Sequence, residues 1–174
     1  GDGKVLLRIP ADLRRYMQEN EGFTIANCTG ALDMDVTAET TLNQIRSQIV
    51  KSMRQKEDLS PFMENHRHAR WLPGAMFRQS SESLQKLHDS GRYRMTGVIS
   101  YMGDVGEELF RCEGFTPKSL FGAPIALENR PIFVGATTQN KITNIFVGVP
   151  KALASAEDLK AFCDVLAERL HGVK

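Results

Sequence analysis

The residues best equipped for chemistry are thinly spread. His66-Arg67-His68 sets two imidazoles at i, i+2, which on a strand would share one face and could ligate zinc. No third ligand stands at a suitable spacing, and Arg67 and Arg70 flank the pair. A surface histidine pair in a basic loop accounts for it more simply. Asp104, Glu107 and Glu108 are the carboxylates closest to an acid/base pair, but neighbouring acids in a turn are usually just solvated. The stretch GVISYMGDVGEELF, residues 97–110, raises a phosphate loop at Gly103-Asp-Val-Gly106 and then dismisses it. It lacks both the dinucleotide glycine spacing and the Gly-Lys-Ser/Thr of a P-loop. No good helix follows whose N-terminus would attract an anion, and the acids would repel one. A turn whose glycines permit positive φ is the plainer reading. There is no Gly-x-Ser-x-Gly elbow for a serine nucleophile. Trp71, Phe62 and Phe77 read as a satellite core, and His88 and His171 as residues near helix C-termini. These residues alone complete no active site.

The chain that must position them has 174 residues, 41% hydrophobic and 25% charged, which predicts one globular domain over residues 1–174. Such a length buries enough surface to fold without a disulfide or metal staple. The net charge of +1 gives no reason to expect nucleic acid or an anionic membrane as partner. Charge is uneven, with ten Lys/Arg against five Asp/Glu in residues 44–94. Solvated helix faces explain that excess better than a phosphate-bearing ligand. Cys28, Cys112 and Cys163 are odd in number and far apart, so neither a zinc ribbon nor a disulfide framework is expected, and a reduced, cytoplasmic setting is. No apolar run approaches the ~18 residues of a membrane span. The start at Gly1 without methionine predicts a processed end or a piece of a longer protein.

Periodicity gives the elements. KVLLRI, residues 4–9, predicts a strand stopped by Pro10. Residues 23–36 predict an extended segment in which Leu32, Met34 and Val36 alternate with Asp33 and Asp35. Leu42, Ile45, Ile49 and Met53 then recur at helical spacing, with Thr40 as N-cap. Residues 57–79 predict short helical pieces and loop, and residues 80–91 a brief helix from a serine start to Gly91. Strands are predicted at 94–102 and 107–115, and a hairpin over 131–150 around the polar turn Gln139-Asn140-Lys141. A last helix opens on a Ser155/Asp158 capping box and carries Leu159, Phe162, Cys163, Leu166 and Leu170 as one stripe, ending at Gly172. This order predicts an α/β fold, a two-layer sandwich with a mixed, mainly antiparallel sheet flanked by helices.

Several segments in order resemble a known superfamily. IPADLRRY at 9–16 precedes IANCTGALDMDV and a helix, and ISYMGD and a closing strand pair with a helix come later. This resembles the C-terminal half of the chloramphenicol acetyltransferase-like superfamily. That group includes the condensation domains of nonribosomal peptide synthetases, polyketide-associated acyltransferases, wax-ester synthases and alcohol acetyltransferases. Its Asn-x-x-Gly matches Asn27-Cys-Thr-Gly30, and its Ser-Asn-x-Gly matches Ser100-Tyr-Met-Gly103 with Tyr101 in place of Asn. The Asp-Phe-Gly-Trp-Gly signature is missing, which favours the condensation or alcohol-acyltransferase side.

The resemblance implies two α/β halves with a tunnel between them, entered by a thioester donor and an acceptor. A His-His-x-x-x-Asp-Gly motif in the first half supplies the general base, and this chain lacks it. The chain is therefore expected to be a half with no catalytic residue and no activity of its own, and no metal or covalently bound cofactor is expected. Acyl-CoA or a phosphopantetheine thioester would be the donor substrate. The N-terminal half of the same protein and a carrier protein would be its partners, with self-association through the exposed inter-half face. Ser100, Tyr101, Gly103 and Asn27 would line the tunnel; Arg14, Asp12 and Gly30 would serve structure, Arg14 pointing into solvent or borrowing Asp12. The competing reading, from a different class, is a non-catalytic α/β module that binds a carrier protein or other partner.

Overall fold

A computed structural model describes residues 3–17, 28–60, 63, 73–90, 95–106, 112–115, 118, 122–123 and 131–171. Contacts divide the chain into two units, residues 1–95 and 96–174. Among the described residues there are five strands of mixed sense with helices, an α/β chain.

In the first unit β1 (Val5–Asp12) pairs antiparallel with β2 (Thr29–Val36), from Val5↔Val36 to Asp12↔Thr29. The expected stop at Pro10 does not occur: Pro10 stands opposite Ala31 inside the ladder. Proline removes one donor, yet its fixed φ suits extended backbone, so a two-strand ladder can run through it. β2 alternates as its sequence predicts. Gly30, Leu32 and Met34 are buried while Asp33 and Asp35 are exposed. Burying Leu32 and Met34 contributes roughly 1.5–3 kcal/mol each. Asp33 accepts two hydrogen bonds of 2.7 Å from Arg8 directly across the ladder. Those bonds hold the Arg8 guanidinium above its ordinary pKa, burial opposing them.

α1 (Leu42–Arg54) is capped by Thr41, one residue later than expected. Gln44 decides this. Its N–H donates to Thr41 Oγ1 at 3.3 Å, and its Oε1 accepts from Thr41 N at 2.7 Å, a reciprocal box that only Thr41 can close. Thr40 instead accepts from the Thr37 N–H at 2.9 Å. After Gln55 the chain turns through Lys56 at φ 58 into a short 3-10 turn, Glu57–Leu59.

α2 runs from Pro73 to Asp89 as one 17-residue helix, longer than the predicted 80–91 piece. Proline lacks the N–H that the first helical position leaves unpaired, so Pro73 starts the helix rather than breaking it. At the other end the Ser90 hydroxyl donates to the Leu87 carbonyl at 2.8 Å.

In the second unit β3 (Gly97–Asp104) lies parallel to β4 (Ile132–Gln139), and β4 pairs antiparallel with β5 (Ile142–Gly148). The hairpin closes on two residues, Asn140 (φ 50) and Lys141 (φ 64), leaving Gln139 in the strand. Positive φ at both is the left-handed pairing whose twist matches the strands. Phe133 and Phe146 stack with centroids 6.3 Å apart, and Phe146 covers Gly135, where any side chain would meet its ring. Thr137 is fully buried, and Gln139 is 3% exposed with neither side-chain amide atom hydrogen-bonded.

The predicted strand over 107–115 is corrected where it is described. Cys112 and Phe115 face each other across a tight turn with Gly114 at φ +78, because the Glu-Gly pair folds the chain back instead of extending it. α3 (Ala156–His171) starts as expected: Ser155 Oγ accepts from Asp158 N at 3.1 Å, and Asp158 Oδ2 accepts from Ser155 N at 3.1 Å and from its hydroxyl at 2.8 Å. No described helix is long and apolar enough to cross a membrane.

Candidate functional site

β3 carries the residues singled out at 100–103 and separates them. Successive strand residues point to opposite faces, so Ser100 and Tyr101 do not line one surface. Ser100 pairs with Gly135 and so shares the face of Val98, Phe133 and Phe146, where it is half-buried. Tyr101 pairs with Ala136 on the opposite face and is 63% exposed. The register shifts between Tyr101 and Asp104, with Gly103 at φ +83, and Val105 N resumes pairing with the Thr138 carbonyl at 2.8 Å. The glycine permits a bulge at the strand end. Asp104 is exposed, as a solvated carboxylate would be.

The Tyr101 face combines hydroxyl and apolar groups. Tyr101 Oη lies 3.0 Å from Thr138 Oγ1, which lies 2.8 Å from Thr143 Oγ1, a row of three hydroxyls across β3, β4 and β5. Beside the row, Ile99 and Ile145 are each 42% exposed. The register places Val134, Ala136 and Val147 on the same face. The row can orient a polar group of a ligand, and the aliphatic side chains can cover an apolar one.

A groove of about 240 Å³ opens where α3 begins, lined by Ile132, Val149, Leu153, Leu159 and Phe162. Asp158 also borders it, but its carboxylate is taken up by Ser155. The Ser155 hydroxyl and N–H hold the Asp158 pKa below its ordinary value.

In the first unit the structure assembles a cluster that sequence reasoning missed. Asp58 is fully buried and accepts from Arg15 Nη2 at 2.5 Å and from Tyr16 Oη at 2.9 Å. Arg15 also donates to Tyr16 Oη at 2.9 Å and lies 4.8 Å from the ring centroid, while Lys56 Nζ is 5.7 Å from it. Gly30 belongs to this packing. A Cβ there would collide with the Asp58 backbone carbonyl and stand 2.6 Å from Leu13 Cδ2. Arg14, the arginine singled out from the sequence, is exposed and lies 3.3 Å from Asp12 Oδ1, which also accepts from the Arg14 backbone N–H. The arginine that reaches a buried carboxylate is its neighbour, Arg15. No pattern in the sequence links positions 15 and 58; the nearest signal is the glycine at 30 within an otherwise apolar strand face.

Asn27, His66, His68, Trp71, Phe62, Glu107 and Glu108 lie outside the described residues, as do the side chains of Phe77 and His88. Among the described residues no three His, Cys, Asp or Glu gather to hold a metal ion. Cys28 is buried, Cys163 half-buried and Cys112 exposed, all as free thiols. Compared with protein-family models, with curated proteins and with solved structures, the chain finds no match.

Proposed function

We propose that this chain is the C-terminal half of a chloramphenicol acetyltransferase-like enzyme that moves an acyl group from a CoA or carrier-protein thioester to a hydroxyl or amine acceptor. In this reading the acceptor oxygen or nitrogen bonds to the acyl carbon and the C–S bond breaks. A histidine of the other half removes the acceptor proton, and the thiol leaves. Tyr101, exposed on β3 with its hydroxyl 3.0 Å from Thr138 Oγ1, orients the reacting carbonyl or the pantetheine arm. The donor is a substrate, so the chain itself holds no cofactor. Free cysteines suit the reducing cytoplasm in which such thioesters persist.

The observation that carries the reading is the open face of β3 to β5. Ile99, Tyr101 and Ile145 lie exposed on it beside the end of β3, as a surface that packs against a second half or lines a tunnel would require. The same exposure supports self-association of the chain when that half is missing. The test is acyl transfer from acyl-CoA or a carrier-bound donor, read by thiol release, with this chain alone and with the longer protein containing it. Turnover only in the longer protein is the expected result, and turnover by this chain alone overturns it.

The exposed apolar residues of α1, Leu42, Val50 and Met53, favour a second reading, an α/β interaction module for a carrier protein or other partner. A carrier protein that binds this chain, together with no transfer by the longer protein from either donor, would select it.

A further inference from the structure

We draw no further inference here: the strongest candidate, the partly exposed apolar face of β3 to β5 with its Tyr101–Thr138–Thr143 hydroxyl row and the adjoining groove at the start of α3, carries nothing beyond the proposed function because nothing in the structure shows what covers it.

Discussion

Arg15 and Asp58, 43 positions apart, form an ion pair in which the carboxylate is wholly buried and the guanidinium side chain is 31% exposed. The pair ties the 3-10 turn after β1, Leu13–Tyr16, to the turn that follows α1. Tyr16 shares the same carboxylate, so the three side chains act as one unit.

Removing Arg15 strands a buried charge. Breaking a buried pair costs about 3–5 kcal/mol, and partial solvent access to Arg15 places Arg15→Ala near the lower end, about 3 kcal/mol. Tyr16→Phe removes two hydrogen bonds with charged groups, one to Asp58 and one from Arg15, about 2 kcal/mol. Urea unfolding of the two single variants and the double variant measures both, and the effects should not add. Simple additivity would mean that the cluster is not a unit.

Gly30→Ala forces a methyl group against a backbone carbonyl that has no rotamer by which to retreat. A loss of about 1–3 kcal/mol is expected from overpacking. Thermal unfolding gives the answer; a variant as stable as the parent would show that the turn at Asp58 can move away.

The two threonines before α1 should behave differently. Thr41→Ala removes the N-cap and costs about 1 kcal/mol. Thr40→Ala removes only the turn hydrogen bonds to Thr37 and costs less, about 0.5 kcal/mol. Chemical unfolding of the pair ranks them, and the reverse order would return the cap to Thr40.

Acid should weaken the start of α3. The Asp158 pKa is lowered in the folded chain from an ordinary 3.8, so its contribution is complete above that value and disappears as pH falls through the lower folded value. Stability measured against pH should lose part of its acid-side slope in Asp158→Asn. An unchanged slope would mean that the carboxylate does not support the helix.

Tyr101→Phe, made in the longer protein that the proposed function requires, tests the reading of β3. Turnover should fall about tenfold or more if the hydroxyl orients the reacting group. Unchanged turnover removes the Tyr101 hydroxyl from the mechanism.

What could be read in the sequence was local. The Ser155/Asp158 box needs only residues three apart, and the inward set of β2 follows from the period-two pattern of Leu32 and Met34 against two aspartates. The cap of α1 was expected at Thr40, although Gln44 three residues after Thr41 already marks the second threonine. Pro10 was expected to stop its strand yet continues a ladder, and Pro73 opens a helix where short helical pieces and loop were expected. In both cases the missing N–H matters only where a partner would have used it. The grouping of Ser100 with Tyr101 followed chain order, whereas strand geometry divides neighbouring residues between faces. Asp58 was hidden for a different reason. An acid after a helix looks solvated until a distant arginine and tyrosine enclose it.

Gln139 has a consequence for engineering. Its carboxamide is shut away from water and hydrogen-bonds to nothing in return, so the fold bears the desolvation of an amide without compensation. Methionine has nearly the same length and flexibility without that penalty. Gln139→Met should therefore make the chain more stable by about 1 kcal/mol, an improvement available at one position of β4 without redrawing its backbone.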